Sequence, residues 1–173
     1  EPSEHITTDC CIVGGGPAGL MLGYLLARAG VQVVVIEKHS DFLRDFRGDT
    51  IHPSTLQIMH HLGLLDELLR LPHQRAPRLQ AEIGGEDVTL ADFSRLPVKC
   101  RFMAFMPQWD FLNFLTEKAS ALPGFSLRQS TAFSDLLYDN GSVTGVRATH
   151  ASGTCEIRAR LVVGCDGRHS GVR

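Results

Sequence analysis

The sequence predicts an α/β fold organised on a βαβ unit near its start, and three observations predict it. A short apolar run, Cys10-Cys11-Ile12-Val13, breaks into Gly14-Gly15-Gly16-Pro17-Ala18-Gly19. An apolar helical stretch follows and stops at Gly30, and a second apolar run, Val33 to Ile36, ends on an acid, Glu37. Far down the chain, Leu161-Val162-Val163-Gly164-Cys165 is again wholly apolar, as strands covered on both faces are, and it ends on Asp166-Gly167.

Strand, Gly-rich turn, helix, strand and terminal acid in register form the fingerprint of a dinucleotide site. Gly14 permits the tight turn, Gly16 lets backbone approach a pyrophosphate, and Gly19 lets helix pack close to sheet. Pro17 and Ala18 complete the turn and open a helix whose unpaired N–H groups and positive dipole end suit phosphate. Glu37 stands at the tip of the second strand, where a carboxylate accepts ribose hydroxyls, and Lys38 beside it joins the candidates. An acid there favours an adenosine with a free 2′-OH, hence FAD or NAD rather than NADP.

A polar connector, residues 38–53, carries Arg44 and Arg47 and ends at Pro53, a good first residue for the helix that runs to a stop at Gly63. Leu64 to Leu71 makes a second short helix, halted by Pro72, and a boundary falls in the polar stretch Pro72 to Pro77. Leu79 to Leu90 has the pattern of a hairpin around Gly84-Gly85, and Cys100 to Met106 is one more strand. Pro107 opens a helix through Leu122 with Phe111, Leu112, Phe114 and Leu115 on its apolar face. Phe125 to Arg128 is a short strand. A meander follows over Ala132–Tyr138, Val143–Thr149 and Cys155–Val163, turning at Asn140-Gly141 and Ala151-Ser152-Gly153.

The 173 residues carry a formal net charge of −2 and are 43% hydrophobic, enough for a sizeable core. No basic block points to nucleic acid, and no apolar run approaches the roughly 20 residues of a membrane span. The start, EPSEHITTD, is too polar for a signal peptide. The five cysteines show no metal-ligand spacing, so no metal is expected; reduced, structural cysteines place the chain in the cytoplasm.

Taken together, GGGPAG with Glu37, Arg47 in RGDTIHPSTLQIMHHLGL, and LVVGCDGRHSGVR resemble the N-terminal part of the class A flavoprotein monooxygenases, the para-hydroxybenzoate hydroxylase family. The resemblance covers essentially the whole chain. The first motif is common to many FAD and NAD proteins; the other two, in this order and spacing, are far more specific. It implies a Rossmann-like FAD-binding domain, residues 1–71 with 107–173, and part of a mixed β substrate-domain sheet in residues 72–106. With the family's later motifs beyond Arg173, the chain resembles the first part of a longer enzyme.

The resemblance further implies that Gly14, Gly16 and Gly19 hold the FAD pyrophosphate, Glu37 the adenosine ribose, and Arg47 the phosphates through its planar fork. Asp166 would serve both FAD and the pyridine nucleotide, and Gln108 would contact the ribityl region; a solvated loop charge is the plain alternative for Arg47, a strand-ending turn for Asp166 and a helix start for Gln108. The implied activity is hydroxylation of a small aromatic substrate with NAD(P)H and O2 through a flavin C4a-hydroperoxide. A flavin halogenase or a prenyl-chain reductase of the same class, or a non-catalytic FAD-binding module, is the alternative. No side chain stands out as a catalytic acid or base, and substrate and oligomeric state are not legible.

Overall fold

In the computed structural model, which describes residues 4–43 and 49–173, the predicted βαβ unit is β1 (Glu4–Val13), α1 (Pro17–Arg28) and β2 (Val33–Ile36). The chain continues through β3 (Thr50–Ile51), α2 (Pro53–His61), α3 (Leu65–Leu68), β4 (Gln74–Ala76), β5 (Arg78–Ile83), β6 (Glu86–Asp92) and β7 (Met103–Phe105). Then come α4 (Gln108–Ser120), β8 (Phe125–Arg128), β9 (Ala132–Asp139), β10 (Ser142–His150) and β11 (Gly153–Gly164). Two compact units result, Glu1–Phe42 with Leu112–Arg173, and Leu43–Phe111.

The first unit is a mixed six-stranded sheet in the order β8-β2-β1-β11-β10-β9. β1 lies parallel to β2 and β11, β2 parallel to β8, and the meander β9-β10-β11 is antiparallel. Both faces are covered at β2 and at Cys10 to Val13 of β1, which is why these stretches are apolar throughout. Cys10, Ile12, Val33 and Val35 pack against Leu22 and Leu26 of α1 with Phe125 and Leu127 of β8. Cys11, Val13, Val34 and Ile36 pack instead with Val146, Ala148, Cys155, Ile157 and Ala159 of the meander. Among the described residues the five cysteines are free, and burial pushes their thiols up, that of Cys11 to about 12.

The sheet changes phase where β1 and β11 leave the meander. Asp9 and Cys10 both donate their N–H to the Gln32 carbonyl, at 3.2 and 3.1 Å, the signature of a β-bulge. Opposite them Arg160 and Leu161 are both exposed, and the inward set passes from Cys155, Ile157 and Ala159 to Val162. The register between β1 and β11 holds on either side of this point, Thr8 opposite Ala159 and Cys10 opposite Leu161, so both strands change face together. The bulge thus joins a half-covered meander to a fully covered sheet.

The second unit holds a three-stranded sheet, β3-β7-β4, and the hairpin β5-β6. Leu56, Met59, Leu65, Leu68, Met103 and Met106 are among its buried side chains. The hairpin turns at Gly84 and Gly85 with φ of +64° and +86°, as a two-residue turn requires. Several elements differ from expectation. β1 begins already at Glu4; the connector holds β3, and the polar boundary stretch carries β4. The strand expected over Cys100 to Met106 is only Met103–Phe105, and the helix expected over Leu64 to Leu71 is only Leu65–Leu68. Strands of two or three residues are too short to show alternation, and pairing with β7 alone makes them strands.

Candidate functional site

The site grows from the tips of β1, β2 and β11. Gly14 N–H donates to the Ile36 carbonyl at 2.8 Å and Cys165 N–H to the Val13 carbonyl at 2.7 Å, so three strand ends are tied side by side. Gly14 has φ +108°, and a Cβ there would run into the Cys165 carbonyl and stand 2.9 Å from the Asp166 nitrogen. At Gly19 a Cβ would collide with the Gly14 carbonyl, so α1 starts in direct contact with the turn. These two glycines let the Gly-rich turn and the Asp-Gly turn touch.

Gly16 is the N-cap of α1, with no side-chain cap and no acid in the first turn. A Cβ added to Gly16 would meet nothing within 4 Å. Pro17 brings no N–H to leave unpaired, so the donors at this end are main-chain groups of its neighbours. Pro17 and Ala18 are exposed. An uncapped, acid-free helix start opening on clear space is a place for an anion.

Glu37 is 4% exposed at the tip of β2. Its Oε2 accepts the Gly15 N–H at 2.8 Å and its Oε1 the His39 N–H at 3.0 Å. The carboxylate therefore holds the Gly-rich turn as well as standing where a ribose would lie. Gly15 is the residue sequence reasoning missed: a Cβ there would be 2.9 Å from the Glu37 Cβ. Three successive glycines carry that signal, but the fingerprint assigns the middle one no task. Lys38, next along, is exposed.

Asp166 faces inward on its own turn. Its Oδ1 accepts the Ser170 hydroxyl at 2.7 Å, and its Oδ2 the N–H groups of Gly171 at 2.7 Å and Val172 at 3.4 Å. Burial opposes the charge, but the Ser170 hydroxyl and these N–H groups outweigh it and hold the carboxyl below its ordinary value. Gln108 belongs to the second unit, opens α4, and donates its backbone N–H to Asp49 Oδ1 at 3.3 Å. Arg47, like Arg44, lies outside the described residues. The structure thus brings Gly14 to Gly19, Glu37 with Lys38, and Asp166 together in one unit.

These residues fit FAD at its adenosine and pyrophosphate end: a close-packed glycine turn, an open helix start and a carboxylate at the second strand tip. The family described as FAD binding domain matches residues 7–173. The chain is 33% identical over 172 residues to a 6-methylpretetramide 4-monooxygenase of Streptomyces rimosus, covering 99% of this chain and 41% of that protein. In structure it is similar to p-nitrophenol 4-monooxygenase PnpA of Pseudomonas putida DLL-E4, with a TM-score of 0.82 at 28% identity, over 95% of this chain and 42% of the other. It is similar also to the myxobacterial chondrochloren halogenase CndH, with a TM-score of 0.84 at 25% identity, over 96% and 39% of the two chains. The chain spans less than half the length of each of these proteins. With a family match over residues 7–173 and a fold shared with flavin enzymes, the chain belongs to the FAD binding domain family.

Proposed function

We propose that this chain forms the adenosine and pyrophosphate end of the FAD site of a monooxygenase that hydroxylates a small aromatic substrate with NAD(P)H and O2. The observation that carries the cofactor assignment is the uncapped, acid-free start of α1 at Gly16, with Glu37 at the neighbouring strand tip. Main-chain N–H groups at Gly16 to Gly19 would receive the pyrophosphate. Glu37 would accept the ribose hydroxyls beside the Gly15 and His39 N–H groups, since a carboxylate offers about four lone-pair sites. Lys38 would stand over the adenosine side, Arg47 would pair with phosphate through its fork, and Gln108 would contact the ribityl chain. Asp166, bound to Ser170, Gly171 and Val172, would shape the turn that meets the pyridine nucleotide. When bound, the flavin takes electrons from NAD(P)H and activates O2; the protein positions it and keeps water out. Residues 1–71 with 107–173 would serve the FAD lobe and 72–106 the substrate lobe. Free cysteines fit a cytoplasmic enzyme, and among the described residues no helix is long and apolar enough to cross a membrane.

A halogenase is the second reading, supported by the likeness to CndH, whose TM-score of 0.84 matches the 0.82 of PnpA. The full-length protein loaded with FAD separates the readings. Oxygen from isotope-labelled O2 appearing in an aromatic product supports hydroxylation; turnover that needs chloride or bromide and gives a halogenated product supports the halogenase. If FAD binds but no candidate substrate stimulates NAD(P)H oxidation, the protein is a non-catalytic FAD module.

A further inference from the structure

Four strands of the first unit bring together side chains for which FAD binding has no use. Glu4 opens β1 and is the parallel partner of Cys155 near the start of β11; His150 ends β10 and Arg128 ends β8. One donor atom from each of Glu4, His150 and Cys155 lies within 4.8 Å of the others. Cys155 is fully buried. The His150 ring has Nδ1 3.0 Å from the Ser152 hydroxyl, while Nε2 is buried without a hydrogen-bond partner, 3.8 Å from Glu4 Oε2. A buried polar atom in this state needs a partner, which water, a ligand or an ion can supply.

We propose that Glu4, His150 and Cys155 bind one thiophilic divalent metal ion of the zinc class, at the rim of the meander. Thiolate, imidazole and carboxylate are the donors zinc takes, at ~2.0–2.3 Å in a tetrahedron, which sets donor atoms about 3.3–3.8 Å apart. The spacing of Glu4 Oε2 and His150 Nε2, 3.8 Å, needs little closing. The Ser152 hydroxyl, accepting from Nδ1–H, leaves the lone pair of Nε2 aimed at the ion, the usual second partner of a ligating histidine. Thiolate and carboxylate together balance the two charges of the ion, and a fourth position stays open to water. Binding expels the Cys155 thiol proton to solvent.

Arg128 is the competitor. Its Nη2 is 2.5 Å from Glu4 Oε2, and its charge repels a cation. The carboxylate has a second oxygen, so ion and guanidinium share it at some cost in affinity. Replacing the arginine should therefore tighten the metal, whereas a plain ion pair would only be lost.

The test titrates the full-length, FAD-loaded, metal-stripped protein with Cd2+ alone and then with competing Zn2+. A thiolate-to-cadmium absorption band should saturate at one ion per chain and fall as Zn2+ displaces Cd2+. Cys155→Ala should abolish the band. His150→Gln should weaken binding by more than the about tenfold that loss of an outer partner costs, and Arg128→Gln should strengthen it. A band that survives Cys155→Ala, or no band at all, overturns the proposal. So does an affinity that neither His150→Gln nor Arg128→Gln moves, which also decides the matter if the cysteine variant does not fold.

Discussion

A methyl group at Gly14 would overlap the Cys165 carbonyl, on a backbone whose φ of +108° side chains rarely adopt. Two residues on, at Gly16, the same methyl meets only open space at φ −78°. The two substitutions should separate folding from binding. Gly14→Ala should lower stability by at least about 1–3 kcal/mol of backbone strain, and the protein should lose FAD because the turn is lost. Gly16→Ala should change stability by less than about 1 kcal/mol. It should still weaken FAD by more than about tenfold, because its methyl stands where phosphate must approach. Urea unfolding and FAD titration of the full-length variants check both; a Gly16→Ala protein that binds FAD like the parent would place the pyrophosphate elsewhere. Glu37 carries two duties in one carboxylate. Glu37→Ala strands the buried Gly15 N–H, costing about 1–3 kcal/mol of stability, and removes the ribose acceptor as well. Both melting midpoint and FAD affinity should fall, and a fall in neither would detach Glu37 from the site.

At the scale of elements, the Asp-Gly turn after β11 is a device for holding backbone, and its charge makes it sensitive to acid. The folded carboxyl of Asp166 titrates below the ordinary 3.8, so its contribution is whole above that value and fades as pH falls through the lower, folded one. Protection of the Gly171 and Val172 amides, their exchange rate relative to the intrinsic rate at each pH, should therefore be high near neutrality and fall only in strong acid. In Asp166→Asn it should be low throughout, with the sheet amides unchanged. Equal protection in parent and variant would mean that the turn is held by something other than this carboxylate. How legible each element was follows its range of interaction. The βαβ unit and the Asp166-Gly167 turn are local in sequence, so spacing alone announced them. β3 and β4 owe their existence to a partner, β7, that lies tens of residues away. The bond from Glu37 to Gly15, and the Glu4, His150 and Cys155 group, exist only once strand tips align, and no spacing rule reaches that far.

For the whole molecule, two units share one chain but bury it very differently. Strand β2 and the Cys10 to Val13 end of β1 have apolar cover on both faces, and Ile12 and Val35 have no exposed surface at all. In the second unit, the β5-β6 hairpin leaves Ile83 59%, Val88 38% and Leu90 61% exposed. Local stability follows buried apolar contact, so the hairpin should open far more readily than the central strands. Nearly all the described residues assigned to FAD, Gln108 excepted, stand on the better-buried unit. Cofactor retention should therefore track the first unit's core and be indifferent to the hairpin. Ile12→Ala empties a fully buried position and should cost about 2–5 kcal/mol, moving FAD release to lower urea with the unfolding of the sheet. Val88→Ala, on the exposed hairpin, should stay within about 0.5 kcal/mol and leave the release midpoint unmoved. Flavin absorbance left in the protein fraction after rapid desalting at each urea concentration reports release beside the titration that follows unfolding. Were Val88→Ala to release FAD as early as Ile12→Ala does, the hairpin would belong to the cofactor's support, and the two units would have to be treated as one cooperative body.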